Sequence, residues 1–391
     1  MKQSIEQLCR IAGKENRLVL GLMSGTSLDG LDIALCRFTG SGAGTGMQLE
    51  RFDTIPYTDD FRNEIRAVFA RRQADLEQVC LLNAWIARQH AQMVNGCLER
   101  WGVPASAVDL LASHGQTIYH APLHQHGKER FGNATLQIGD GDHLAVATDI
   151  ITISDFRQKH IAAGGEGAPL AVYGDYLLFS KQGEDRIMLN MGGIANFTWL
   201  PGSLAADQVF STDTGPGNTL LDAYMRQHFG LPYDSDSRIA SRGTIHPGLL
   251  DALCDDPFFA HAFPKTTGPE LFNLIYLENA LQRSGTTGLG HEDIMATLTA
   301  FTARTIAAAI RATLPANTHC TLYGSGGGIH NPLVMQYLRQ ELPGHTIRTT
   351  ADLQINPDAK EAVLFAVLAN ECIAGPGFPS TVSMGKISLP R

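Results

Sequence analysis

Glycine in this chain collects where apolar runs end. Of its 40 glycines, 14 fall in five short stretches, at 21–30, 164–167, 192–193, 215–217 and 324–328. A residue without a side chain lets the backbone turn sharply or approach a ligand closely. No Gly-X-Y period accompanies these glycines, which excludes a collagen-like rod. They do not share one tract, which excludes a linker-rich chain. The chain has 391 residues and an apolar fraction of 44%. That is ample material for a core, and more than one core usually holds, since single cores rarely grow past about 250–300 residues. Two domains carrying glycine loops are the first expectation.

The net charge is −9. An acidic chain lacks the basic surface that nonspecific nucleic-acid binding needs, so no nucleic-acid partner is expected. An anionic ligand must then be met by backbone dipoles, a metal or a few placed cations. The seven cysteines are scattered, without a Cys-x-x-Cys pair, which points to a reducing compartment. No apolar run reaches the roughly 18 residues of a membrane span, and the first residues lack a signal-peptide core. A cytoplasmic protein without a membrane partner is expected.

Periodicity predicts a helix over 3–16, strands over 17–22, 31–38 and 47–56 in a meander, and helices over 59–72 and 76–101. A strand over 108–113 ends at Ser113-His114-Gly115-Gln116-Thr117. Another ends at Gln137-Ile138-Gly139-Asp140-Gly141, before a helix over 141–147 and a strand over 149–154. A glycine loop at 162–167 leads to a helix from Pro169. Strands over 186–191 and 194–200 flank Gly192-Gly193. A further strand ends at Asp213 and precedes a helix. Residues 270–313 read as largely helical, strand 319–323 runs into the glycines of 324–328, and helices start near 331 and 358. Strands alternating with helices indicate α/β class with mixed sheets. Both halves begin strand, glycine turn, strand, a weak repeat of architecture. His120, His124 and His126 read as a solvated loop in preference to a metal site.

Common nucleotide and hydrolase signatures are absent. Gly13-Lys14, Gly127-Lys128 and Gly385-Lys386 lack the Ser or Thr of a P-loop, and Ile329 stands where a dinucleotide fingerprint needs its third glycine. His291-Glu292 has Met295 at the zincin position, and Ser24 does not sit in a nucleophile elbow.

Four segments remain. In Met23-Ser24-Gly25-Thr26-Ser27-Leu28-Asp29-Gly30-Leu31-Asp32, backbone N–H groups and hydroxyls can receive phosphate oxygens. Asp29 or Asp32 can hold Mg²⁺, directly or through water. The alternative is an ordinary hairpin turn, which uses the same residue types. Asn190-Met191-Gly192-Gly193-Ile194-Ala195-Asn196 reads as a second phosphate hairpin or as a tight turn. In Asp213-Thr214-Gly215-Pro216-Gly217-Asn218 the carboxylate suits a general base, or caps the next helix, a role open to Asn218 as well. Gly324-Ser325-Gly326-Gly327-Gly328-Ile329-His330-Asn331 presents side-chain-free backbone on which a flat ring can lie.

These segments in this order resemble the anhydro-N-acetylmuramic acid kinases. The likeness spans roughly 18–371. It includes Ser113 to Thr117, Leu136 to Asp140, Asp155-Phe156-Arg157, Gly164 to Leu170 and Lys360-Glu361-Ala362. The resemblance implies a two-domain actin-like (ribonuclease H-like) sugar-kinase fold with an interdomain cleft. Domains are expected over 1–158, with 355–391 packing back on it, and over 159–354. It implies an ATP- and Mg²⁺-dependent enzyme of cell-wall recycling that phosphorylates O6 of 1,6-anhydro-N-acetylmuramic acid while water opens the anhydro ring. Its partners are then a sugar and ATP, with a homodimer left open.

By that resemblance Asp213 is the catalytic base. Gly25, Thr26, Ser27, Leu28, Asp29, Gly30, Leu31 and Asp32 bind phosphates and metal. Asn190, Gly192 and Gly193 form the second phosphate loop, and Gly326, Gly327, Gly328 and Asn331 lie at adenosine. His114, Gln116, Asp155, Arg157 and Glu361 are candidate sugar contacts. Glu166 stands where the family more often has Gln, and Gly141 where it often has Pro. Rival readings are another sugar kinase of the superfamily, an actin-like ATP-gated module, or an inactive muropeptide sensor.

Overall fold

The computed structural model describes residues 3–25, 28–42, 45–167, 170–315, 318–353, 359–375 and 384–391. The chain forms two units, Met1–Phe179 with Asp358–Arg391, and Ser180–Pro357. The division falls after Phe179 instead of after 158. The reason is local: the helix ending at Phe179 packs on the C-terminal helix, where Leu364 lies against Gly174.

In the first unit, α1 (Gln3–Ala12) leads into β1 (Asn16–Ser24), β2 (Gly30–Thr39) and β3 (Gly46–Pro56), an antiparallel meander. Then come α2 (Asp59–Val68), α3 (Leu76–Trp101), β4 (Leu110–Ala121), α4 (Leu123–His126), β5 (Ala134–Ile138), α5 (Gly141–Thr148), β6 (Thr152–Ser154), α6 (Phe156–Ala162) and α7 (Ala171–Phe179). Caps fix the helix ends. Thr58 and Asp75 accept backbone N–H groups at the starts of α2 and α3, and left-handed Gly102 ends α3. Left-handed Ala70 and extended Phe69 stop α2 short of the predicted residue 72. The predicted start of α7 at Pro169 lies outside the described residues.

After the second unit the chain returns with α14 (Lys360–Ala374) and β12 (Lys386–Ser388). Among the described residues the first sheet has seven strands in the order β12-β6-β4-β1-β2-β3, with β5 on β4. β4 and β6 run parallel to β1 and β4 respectively. Helix α14 seats directly on β1. A side chain at Gly21 would place its Cβ 1.9 Å from the Ala362 carbonyl oxygen, so this glycine serves strand–helix packing and not a ligand.

The second unit repeats the plan. β7 (Arg186–Met191), β8 (Ile194–Leu200) and β9 (Phe210–Pro216) form a meander. Helices α8 (Thr219–Phe229), α9 (Pro247–Cys254), α10 (Pro257–Ala260), α11 (Leu274–Arg283) and α12 (His291–Thr313) follow. β10 (Thr321–Ser325), α13 (Pro332–Glu341) and β11 (Thr346–Thr349) complete it. The order is β11-β10-β7-β8-β9, with β10 parallel to β7. Each sheet thus adds parallel strands to the first strand of a meander, which gives the repeat its physical form. Helix α12 is long and apolar enough to cross a membrane, but it is a core helix. Its Phe301, Ile306 and Ile310 are fully buried, and Thr297 and Thr299 donate to its own carbonyls four residues back.

Gly21→Ala drives a methyl into the α14 backbone. It is expected to lower the stability of the first unit by about 3 kcal/mol, read from the urea midpoint; an unchanged midpoint contradicts this packing role.

Candidate active site

In the second unit three glycine segments press together at the ends of β7, β9 and β10. Gly217 and Thr219 donate backbone N–H groups to the Gly193 carbonyl (2.8 and 3.0 Å), and Asn218 donates to that of Gly192 (2.9 Å). A Cβ on Gly217 would stand 2.3 Å from the Gly192 oxygen. Gly326, at φ +80°, would collide at 2.7 Å with both Asn190 Oδ1 and the Met191 carbonyl. Gly328 is closed off by Met191, whereas among the described residues Gly192 and Gly327 face no atom nearer than 3.6 Å. Gly217, Gly326 and Gly328 are therefore required by backbone packing, and Gly192 and Gly327 are the ones left open to a ligand. Asn331, expected at adenosine, caps α13: its Oδ1 accepts from Val334 N–H (2.9 Å) and Ser237 Oγ (2.7 Å). Asn218 makes no side-chain cap to α8, so the capping role read for it is not taken by its amide.

Asp213 lies half-buried on β9, opposite Asn196 of β8. Its Oδ2 accepts the Thr267 N–H at 2.8 Å. Burial raises its carboxyl above the usual range, against the lowering effect of that bond, and the negative Glu270 raises it further. A carboxylate of raised basicity, held mid-strand on β9 three residues before its end at Pro216, can accept a proton from water. Thr302 of α12 fixes the turn from behind by donating to the Gly217 carbonyl (3.0 Å).

In the first unit the β1–β2 turn is held by a buried relay. Tyr57 donates to Ser24 Oγ (2.6 Å), and Ser24 donates to Gln116 Oε1 (2.5 Å). The Gln116 amide donates to the carbonyls of Gly25 (3.4 Å) and Thr117 (3.2 Å). His90 Nε2 lies 2.9 Å from the Tyr57 oxygen. Since that hydroxyl's proton goes to Ser24, His90 must be the donor, which assigns its tautomer. Farther along, Arg62 holds the Leu28 carbonyl and Tyr57 N–H that of Asp29. Leu28 and Leu31 are buried in the core, so they can offer a ligand only backbone. Gly30 packs on the Ile55 carbonyl. Asp29 is exposed, and Asp32 accepts from Thr54 Oγ1 at 2.6 Å. Thr26 and Ser27 lie outside the described residues.

The candidate sugar residues divide into supports and presenters. Gln116 is fully buried and engaged by the relay. His114 is buried, and its Nε2 accepts from Arg157 Nε (3.1 Å). Arg157 also donates to the Gly167 carbonyl (2.7 Å). Burial lowers the pKa of its guanidinium, and Glu361 acts in the opposite sense. Asp155, in left-handed backbone, pairs with Lys386 at 2.5 Å. Glu361, in the first turn of α14, stays accessible to solvent. Its carboxyl is nevertheless raised by the protein around it and by Asp32, against Lys360 and Arg157. The 164–167 loop is pinned by His160, which accepts from Gly167 N–H, by Asn133 on the Gly165 carbonyl, and by His124 on Glu166.

Comparison with known proteins agrees over the whole length. The family model for anhydro-N-acetylmuramic acid kinase matches residues 17–386. The chain is 59% identical to the anhydro-N-acetylmuramic acid kinase of Pseudoalteromonas atlantica and 52% identical to that of Pseudoalteromonas translucida, covering all of both chains in each case. It is 37% identical to that of Caldanaerobacter subterraneus, over 98% of this chain and all of the relative. The chain belongs to the anhydro-N-acetylmuramic acid kinase family. It is therefore an enzyme, an ATP-using kinase, and its described elements form an α/β fold with two mixed sheets.

Within this kinase, sequence reading passed over Tyr57, His90, Thr267, Lys265 and Glu270. The signal for the last three was present: Pro264-Lys265-Thr266-Thr267-Gly268-Pro269-Glu270 is a polar, turn-forming run between apolar segments. For Tyr57 and His90 there was none, since a lone Tyr and a lone His on helix or strand faces read as core.

Burial holds His90 and His114 neutral, lowering each pKa to about 3, against about 6.5 in an unfolded chain. Between those values the unfolded state binds more protons, so this stability is complete above pH 6.5 and drains away as pH falls toward 3. Urea midpoints should decline from pH 7 to 4.5, and less steeply in His90→Gln; equal slopes would contradict a buried neutral His90.

Proposed function

We propose that this kinase converts 1,6-anhydro-N-acetylmuramic acid, ATP and water to N-acetylmuramic acid 6-phosphate and ADP, in the cytoplasm, as part of cell-wall recycling. The observation that carries the reading is Asp213: a half-buried carboxylate, raised in pKa and held at one oxygen by Thr267 N–H. Its second oxygen is the proton acceptor. Water attacks C1 of the sugar and gives its proton to Asp213. The C1–O6 bond breaks with its electron pair on O6, and O6 takes the γ-phosphoryl group as ADP leaves. One carboxylate thereby serves both ring opening and transfer, and the transfer itself depends on positioning and charge neutralisation.

The remaining roles follow from what each unit presents. In the second unit Gly192, Gly193 and Asn190 offer phosphate contacts, and Gly327 offers open backbone to adenosine. In the first, the Gly25–Asp32 turn offers N–H groups to phosphate. Arg157, aimed by His114 and Gly167, suits the lactyl carboxylate of the sugar, a charge-assisted contact. Glu361 and Asp155 suit its hydroxyl groups.

Mg²⁺ fits the oxygen donors of the same turn. Among the described residues no three His, Cys, Asp or Glu side chains gather as a metal site, but Mg²⁺ keeps waters and phosphate oxygens and needs only one or two carboxylates. The field of Asp32, felt at Glu361, is one that a cation relieves. Asp29 and Asp32 are the residues that would hold it. When bound, the ion neutralises phosphate charge.

ATP turnover by the full chain is expected to require the anhydro sugar, and Asp213→Asn to lower kcat by about 10²–10⁴-fold. Sugar-independent turnover favours the ATP-gated module, and a fully active variant removes Asp213 as the base.

A further inference from the structure

The segment that holds Asp213 is itself held by a buried lysine. Lys265 Nζ donates to the carbonyls of Phe258 (2.9 Å) and Phe259 (3.1 Å). It lies 4.4, 4.5 and 5.8 Å from the ring centroids of Phe263, Phe258 and Phe259. Its backbone meanwhile grips β9. Lys265 N–H donates to Thr212 Oγ1 (3.0 Å), and its carbonyl accepts the Asp213 N–H (2.9 Å). Two residues on, Thr267 N–H reaches Asp213 Oδ2 (2.8 Å).

We propose that Lys265 is a positioning residue for the Asp213 carboxylate: its ammonium, clamped by the Phe258 and Phe259 carbonyls within three aromatic rings, locks the segment whose Thr267 N–H fixes one carboxylate oxygen. This rests on the reading of Asp213 as the base. Core filling alone does not account for a lysine here. An ammonium is costly to bury unless its donors are met, and a methionine would fill the cage without that cost. A methionine cannot tie two carbonyls to the backbone that aligns Asp213, nor draw on the ring faces as a cation does. Burial lowers the lysine's pKa, which the carbonyls and ring faces oppose.

The groups that face Asp213 are Asn196 from β8, and Thr267 and Glu270 from the 264–270 segment. Thr267 lowers the Asp213 pKa, whereas burial and Glu270 raise it. Loosening the segment removes the Thr267 contact and also displaces Glu270, which lies on the same segment, so the acid limb of kcat moves. A defect confined to stability would leave that limb in place.

The test uses full-length Lys265→Met and Lys265→Arg, with kcat, both KM values and the pH profile measured beside Asp213→Asn. Lys265→Met is expected to lose about ten- to a hundredfold in kcat, to keep its KM for ATP, and to displace the acid limb. Lys265→Arg, which keeps the cation, recovers most of the loss. A folded Lys265→Met with wild-type kcat and limb, alongside an inactive Asp213→Asn, overturns the role of Lys265 alone. An active Asp213→Asn overturns the reading beneath it as well. Should Lys265→Met fail to fold, Thr212→Val, which removes the oxygen that accepts from Lys265 N–H, is judged by the same kcat and pH criteria.

Discussion

Three backbone hydrogen bonds, from Gly217, Asn218 and Thr219 to the carbonyls of Gly192 and Gly193, set the geometry of the second unit's site. They join the β7–β8 turn to the end of β9 so closely that only glycine fits at 217. The Gly326–Gly328 turn then lies against Met191 and Asn190. Asp213 stands on the strand that enters this junction, so its position and the shape of the Gly192-Gly193 turn are one constraint.

The first unit solves a related problem with buried polar side chains. Tyr57, Ser24, Gln116 and His90 form a directed chain of hydrogen bonds beneath the β1–β2 turn. Such a chain gains strength as its members polarise one another. Among the described residues His90 Nδ1 has no partner, and burial keeps that ring neutral. Of the acidic residues of this turn, Asp29 is exposed and Asp32 half-buried.

Much of this was legible in the sequence. Helix α3 lies over 76–101 as read, because Asp75 and Gly102 are unambiguous caps, and β7 and β8 match because their apolar alternation is interrupted only by Gly192-Gly193. Strand β4 was cut short at Ser113. It continues to Ala121 because left-handed Gly115 lets the strand bulge past a polar run and pair with β5. Helix α6 was missed because Asp155 starts it in left-handed backbone without a side-chain cap. Asp213 is legible as a carboxylate on a strand before a glycine turn, but β9 does not end there and runs on to Pro216. Thr267 and Lys265, more than fifty residues away, were not legible, since no local pattern reports a contact made by folding. Family resemblance implies sugar contacts for Gln116 and His114; the structure shows their side chains accepting hydrogen bonds from Ser24 and Arg157.

The central claim is that one carboxylate directs water to C1 and thereby frees O6 for phosphorylation. Turnover in ¹⁸O-enriched water, with mass spectrometry of the product, tests it most directly. One ¹⁸O atom at C1 and unlabelled oxygen in the 6-phosphate are expected. Label in the phosphate, or a product whose C1 oxygen remains unlabelled, would contradict it.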